Sequence, residues 1–367
     1  MLFADIFEDV TRLGKKIPTS EYLERGKYPI IDQGQSDIAG YTNEENGLFT
    51  DVPVIIFGDH TRAVKYVDTP FFLGADGVKV LKSKIDDVNY KYLYYAVSSV
   101  NIPDTGYNRH FKWLKESDIP LPTIEKQFEI VKTLDSLVSL IKLHNQQLNK
   151  LDELVRSRFI KMFGDPVSNQ FHWKTMLLKN ATSKIGSGAT PKGGKESYQS
   201  EGITLIRSMN VHDGRFEYKD LAHITDEQAK QLDNVVIEEN DVFINITGAS
   251  VARSCIVPKH ILPARVNQHV AIIRCVSSML NPVFANHMFL NTSFKGHLLD
   301  IGESGGATRQ AITKQQLEML NVILPPIDLQ NVFVTFVEQT DKLKFEVQQS
   351  LEKLETLKNS LMQQYFG

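Results

Sequence analysis

Two regions of the chain carry apolar residues in a sevenfold rhythm. Between Pro122 and Gly164, the a and d positions of one heptad register fall on Leu134, Leu137, Ile141, Leu148, Leu151, Val155 and Met162, interrupted by His144 and Arg158. Between Pro325 and Gly367 the same register gives Val337, Val347, Leu351, Leu354, Leu361 and Tyr365, interrupted by Thr340, Lys344 and Lys358. About two apolar positions in seven make a stripe too narrow for a globular core, so the pattern predicts a two-helix seam. Each helix would span roughly 60 Å at the usual rise per residue. Prolines stand before each start (Pro120 and Pro122, Pro325 and Pro326) and glycine closes each end (Gly164, Gly367), the order that helix termini favour.

The two helices are copies of one another. A shift of 203 residues lays 122–164 on 325–367 without a gap, and 13 of the 43 pairs are identical. Ordinary composition would give about three. Before each helix lie short β-branched runs divided by turn residues, again in two copies. Val54–Phe57 matches Val242–Asn245, Val64–Val67 matches Ser254–Val257, Gly77–Leu81 matches His269–Ile273, and Asn89–Val97 matches Asn281–Phe289. Thr105–Arg109 matches Gly305–Arg309. The predicted class is α+β, with strand-rich domains over 1–121 and 165–324, each followed by a long helix over 122–164 or 325–367. Loop lengths differ between the copies while strand order is kept, which points to one scaffold carrying two recognition surfaces.

Composition narrows the partners. With 41 basic and 44 acidic residues the net charge is −3, and no segment is strongly basic: 14 basic against 18 acidic in 1–121, and 16 against 15 in 165–324. Any nucleic-acid role must therefore rest on local groups and on a partner that supplies phosphate contacts. No apolar run is long enough to cross a bilayer, and the acidic start (Asp5, Glu8, Asp9) lacks the features of a secretory signal, so the expected location is the cytoplasm. Cys255 and Cys275 each sit in an apolar run and read as buried strand thiols.

Catalytic patterns are missing. The stretch Gly186–Glu196 lacks the spacing and hydroxyl of a nucleotide-binding loop, and no G-x-G-x-x-G turn offers a cofactor site. The tetrapeptide with which amino-methyltransferases grip adenine does not occur, and the ten histidines lack zinc-binding spacing. No cofactor or metal is expected in this chain.

The order of variable region, long helix, second variable region and second long helix resembles the specificity subunits of type I restriction-modification systems, across the whole chain. The helix starts Ile119–Gln127 and Val322–Gln330 carry the likeness. So do Tyr28–Gln35 and Ile38–Thr42 in the first copy, and Gly188–Lys192, Ile206–Val211, Val266–His269 and Gly306–Gln310 in the second. The resemblance implies two target-recognition domains reading the halves of a bipartite, asymmetric DNA site, with the helices paired antiparallel as a coiled-coil spacer. It implies double-stranded DNA, two methyltransferase subunits using S-adenosylmethionine, and restriction-translocase subunits using ATP and Mg as partners. A coiled-coil adaptor without a DNA role, the targeting subunit of another restriction-methylation system, and an enzyme with an unrecognised site are the competing readings. The adaptor leaves two loop-divergent domains without a purpose.

Base edges are read by side chains with paired donors and acceptors, and phosphates by Lys, Ser, Thr and backbone amides. On that chemistry the expected DNA-binding residues of the first copy are Gln33, Gln35, His60, Thr61, Arg62, Lys65, Tyr107, Asn108, Arg109 and His110. Those of the second are Thr190, Lys192, Arg207, Asn210, Asn245, Thr247, Arg253, Asn267, Gln268, Arg309 and Gln310.

A spacer helix makes a metric prediction. One extra heptad inserted near Asn149 lengthens the helix by about 10 Å without changing its phase. The recognised bases should stay the same while the unspecified gap between half-sites grows by about one to three base pairs, since DNA rises about 3.4 Å per pair. Sequencing of methylated sites reads the gap, and an unchanged gap in an active complex would show that the helix does not set it.

Overall fold

The computed structural model describes residues 1–74, 76–106, 108–191, 193–303 and 310–367, with Lys195 described by its backbone alone. Contacts group the chain into two units, Met1–Gln146 with Val347–Gly367, and Gln147–Glu346.

Unit 1 is built on a four-stranded antiparallel sheet ordered β1 (Phe7–Asp9), β7 (Val78–Ser83), β4 (Val54–Gly58), β5 (Val64–Val67). A second sheet sets β2 (Tyr28–Ile31) between β3 (Gly40–Thr42), which is antiparallel to it, and β6 (Phe72–Leu73), which is parallel. Alternation along β4 explains the layering. Ile55 and Phe57 face a core shared with α1 (Phe3–Ile6), α2 (Tyr90–Ser99), α3 (Phe111–Lys115) and the first turns of α4 (Ile124–Phe163), whereas Val54 and Ile56 face the second sheet. With both faces covered, the strand reads as a continuous apolar run.

Unit 2 repeats this plan. After β8 (Thr175–Leu177) in the chain, its main sheet runs β9 (Thr182–Ser187), β17 (Val270–Cys275), β14 (Val242–Asn245), β15 (Ser254–Ile256), all antiparallel. Its second sheet sets β10 (Ile203–Ile206) between antiparallel β13 (Ala222–Ile224) and parallel β16 (Ala264–Val266). A hairpin of β11 (Val211–His212) and β12 (Arg215–Phe216) is added, and β18 (Asn321–Ile323) pairs with β8. The helices are α5 (Asp226–Lys230), α6 (Pro282–Leu290), α7 (Thr292–Glu303), α8 (Lys314–Glu318) and α9 (Ile327–Phe366). Cys255 and Cys275 are both buried in strands, and burial pushes each thiol up to about 12.

One sequence register needs correction. The sequence sets Val54 against Val242, but Ile55 pairs with Leu81 as Val242 pairs with Ile273, and both face the helical side. Ile55 is therefore the counterpart of Val242. A one-residue slip exchanges the faces of a strand, and a run that is apolar on both sides hides the slip in the sequence.

The heptad phase is as the sequence predicts. Leu134, Leu137 and Val155 on α4 and Val337, Thr340 and Leu351 on α9 are buried, while Leu140, Leu143, Leu154, Leu343 and Leu357 are exposed. The polar interruptions lie on the sheltered stripe as well. Within unit 2, Lys344 Nζ is 2.6 Å from Asp152, and the Arg158 guanidinium sits 5.5 Å from the Phe336 ring. Within unit 1, His144 Nε2 is 3.2 Å from Ser350 Oγ.

Each long helix is tied to its domain by a glutamine in its first turn. Gln127 Oε1 accepts from the backbone of Asn89, the N-cap of α2, at 3.0 Å, and its amide donates to Pro122 O at 2.9 Å. Gln330, fully buried, repeats this with Asn281, the N-cap of α6, at 2.9 Å and Pro325 O at 2.8 Å, and also donates to Met279 O at 3.0 Å. Removing such an amide strands several buried backbone groups. Gln330→Ala should therefore destabilise the chain by about 2–4 kcal/mol in denaturant unfolding. A loss below about 1 kcal/mol would mean that water replaces the amide.

Candidate nucleic-acid interface

In unit 1 the chain segments 32–38, 59–63, 76–77, 103–106 and 108–110 meet beyond the end of β4. Backbone bonds bring them together: Asp59 N donates to Gly77 O and His110 N to Asp59 O, each at 2.7 Å, and the buried Asp59 carboxylate accepts Phe111 N at 2.8 Å. Gln33 bridges further. Its amide donates to Asp76 O at 3.0 Å and accepts His60 N at 3.2 Å, and its carbonyl accepts the Thr61 hydroxyl. Gly77 sits at φ +93°, a conformation that residues with a side chain rarely adopt, and its lack of a Cβ leaves room for the Gln33 amide beside it.

Much of the expected chemistry is used in building this cluster. His110 is buried with Nδ1 3.0 Å from Asp59 O, the His60 ring bonds Asn108 O at 3.1 Å, and Asn108 donates back to Thr105 O at 2.7 Å. Arg62, held at φ 61°, donates to Ile102 O at 3.3 Å and to Asp104 at 2.8 Å. Lys65 is 5% exposed, with Nζ 2.5 Å from Ser36 O and 3.6 Å from Asp32. Burial pushes its ammonium below the usual range, with Asp32 opposing. Gln35 and Arg109 are the expected residues left exposed with no side-chain hydrogen bond among the described residues. Arg109 lies near Asp76, whose carboxyl is held low first by Lys16 and more weakly by that guanidinium. Tyr107 lies outside the described residues.

Unit 2 builds a comparable cluster from segments 188–191, 207–210, 246–253, 267–269 and 310–311. Gly188 N donates to Asn267 O at 3.1 Å, Asn267 N to Ile206 O at 3.0 Å, and Gly248 N to Gln310 O at 2.9 Å. A Cβ on Gly188 would meet Val266 O at 1.8 Å, so only glycine permits this approach. Asn210, Asn245 and Asn267 are buried. The Asn210 amide donates to Glu217 O at 3.0 Å, that of Asn245 to Ser208 O at 2.9 Å, and Asn267 Oδ1 accepts His269 N at 3.0 Å. Arg207 donates to Asp220 O and lies 5.5 Å from the Tyr198 ring, while Gln310 donates to Glu303 at 2.6 Å. Thr190, Gln268 and Thr247 remain at the surface in one hydrogen-bonded line through His269. Arg253 is half-buried, and its guanidinium has no hydrogen bond among the described residues. Lys192 and Arg309 lie outside the described residues.

Two structural signals were missed in the sequence. Asp59 and His269 organise the clusters, though neither was among the expected residues. The turn after the central strand keeps one left-handed residue in both copies, Arg62 at φ 61° and Ala252 at φ 65°. Non-glycine residues there are uncommon and mark sites whose surroundings impose the conformation. Among the described residues no group of three or more metal-ligating side chains occurs, and no helix is long and apolar enough to cross a membrane.

Comparison with known proteins adds four findings. The family described as the type I restriction modification DNA specificity domain matches residues 3–153 and 172–358. The EcoR124I/EcoR124II specificity subunit of Escherichia coli is 24% identical over 362 residues, covering 92% of this chain and 85% of that protein. The EcoBI specificity subunit of the same organism is 22% identical, covering 77% and 66%. Among solved structures, the type I restriction-modification S subunit from M. genitalium superposes with a TM-score of 0.60 at 16% identity, covering 100% of this chain and 95% of that one, which is a likeness of fold.

Arg253 supplies a test. Arg253→Ala should weaken binding of the target duplex by about 1–3 kcal/mol and relax one base position if the guanidinium meets a base edge. A uniform loss on all duplexes in a fluorescence titration would instead make it a phosphate contact, and unchanged binding would remove it from the interface.

Proposed function

Because the chain belongs to the type I restriction modification DNA specificity family, we propose that its two loop clusters each read one half of a bipartite, asymmetric DNA site. The chain is the sequence-reading component of a restriction-modification complex and not its catalyst. The observation that carries the bipartite reading is the duplication itself. Both units place segments rich in amides and guanidinium groups beyond the ends of sheets with the same strand order, yet the segments differ in length and residue type. Equal scaffolds with unequal loops suit an asymmetric pair of targets.

In this reading 1–121 and 165–324 are target-recognition domains, and 122–164 and 325–367 pair as an antiparallel coiled-coil spacer. The opposed contacts Lys344 with Asp152 and His144 with Ser350 support that pairing. The outer faces of the helices fit two copies of one partner: Leu140 and Leu154 recur as Leu343 and Leu357, all exposed, and each pair is two heptads apart. That partner is a methyltransferase subunit, which would bring S-adenosylmethionine, while restriction-translocase subunits would bring ATP and Mg. The modest charge of this chain agrees with phosphate contacts supplied by those partners.

Sequencing of methylated adenines in a host carrying the complete system tests the proposal. A motif of two defined halves with an undefined gap is expected, and replacing residues 1–121 with another such domain should change one half and leave the other intact. Loss of both halves in an active complex would contradict independent reading, and an adaptor would yield no motif.

A further inference from the structure

Four side chains from three segments of unit 2 form one line. The Thr190 hydroxyl donates to Gln268 Oε1 at 2.5 Å, Gln268 Nε2 is 3.1 Å from His269 Nε2, and His269 Nδ1 is 2.5 Å from Thr247 Oγ1. An amide nitrogen can only donate, so His269 Nε2 must accept. With Nε2 accepting, a hydrogen on Nδ1 is placed to donate to Thr247. The backbone fixes the ring's place: His269 N donates to Asn267 Oδ1 at 3.0 Å, and His269 O accepts Ile246 N at 3.0 Å.

The line determines what Gln268 can offer a ligand. Its amide has two N–H groups and two lone pairs, of which Thr190 and His269 take one lone pair and one N–H. Among the described residues, one donor and one acceptor remain on an exposed side chain. A half-turn of the amide, with the imidazole hydrogen moved to Nε2 and the two threonine hydroxyls turned, would reverse the line and still leave one donor and one acceptor free. Adenine alone among the bases presents an adjacent acceptor and donor, N7 and N6–H, to the major groove. Guanine offers two acceptors there, and the remaining Oε1 lone pair would face one of them unmatched.

We propose that Gln268 reads an adenine in the half-site recognised by unit 2 and that His269 is its positioning residue. The inference rests on the DNA-reading function proposed above and adds the base and the device that orients its reader. It extends to Thr190, which holds the other end of the amide.

The test is methylated-site sequencing of the whole complex carrying single variants. Gln268→Ala should make one adenine of one half-site degenerate, with preference falling by about 5- to 150-fold, the equivalent of one bidentate contact. The other half should be unchanged. His269→Gln carries an amide oxygen to the position of Nε2 and should keep the adenine preference, whereas His269→Asn reaches only as far as Nδ1 and should relax it. Should Gln268→Ala fail to assemble, Thr190→Val leaves the glutamine in place and should relax the same base. A full motif retained by both Gln268→Ala and Thr190→Val, or relaxation at a base other than adenine, would overturn the proposal. Equal behaviour of the two His269 variants would remove the positioning role. Failure of the wider function looks different, because the unaltered complex would then give no bipartite motif.

Discussion

A buried amide left without partners is costly, and each long helix of this chain depends on one whose oxygen and nitrogen are both satisfied. Gln127 and Gln330 join the first turn of α4 or α9 to the cap of the preceding short helix, Asn89 or Asn281. The cap in turn holds the free N–H groups at the start of α2 or α6, and those helices pack on the main sheet. A helix so anchored cannot rotate about its axis without stranding backbone donors. The heptad stripe therefore emerges in a fixed direction relative to the sheet before it. The same clamp occurs twice at a shift of 203 residues, which explains why both helices share phase as well as length.

The sequence made the helices legible because a narrow stripe tolerates few arrangements. Even its polar interruptions, His144, Arg158 and Lys344, can be placed on the sheltered face from phase alone, since each finds a partner there or lays its stem along the seam. The central strands were legible as strands but not in register, because residues buried on both faces give no alternation to count. The parallel pairing of β2 with β6 and of β10 with β16 left no sequence mark, as parallel neighbours need only be short and apolar.

The loops were the least legible part. Asn, Gln, His and Arg in a turn can face solvent or bind the backbone of the next segment, and composition does not separate these outcomes. Lys65, His110, Asn210, Asn245 and Asn267 are buried among carbonyls and amides, whereas Gln35, Arg109, Arg253 and Gln268 keep free donors or acceptors. The division follows from packing several irregular segments together. Each buried backbone group must find a partner, and nearby polar side chains are the nearest supply. Residues that support a recognition loop thus have the same chemistry as those that recognise.

Unit 2 is one continuous stretch of chain, whereas unit 1 is closed by residues 347–367, where the Phe366 ring comes within 5.4 Å of Tyr92. A ribosome delivers these parts in a fixed order. Residues 1–146 emerge before unit 2, carrying Ile130, Leu134 and Leu137, but the segment that completes their unit follows only after all of unit 2. Joining ends so far apart in sequence is slow, and apolar surface left waiting invites association with other chains. Synthesis of this protein therefore has a built-in interval of vulnerability, shortened by anything that covers the first helix before the second is made.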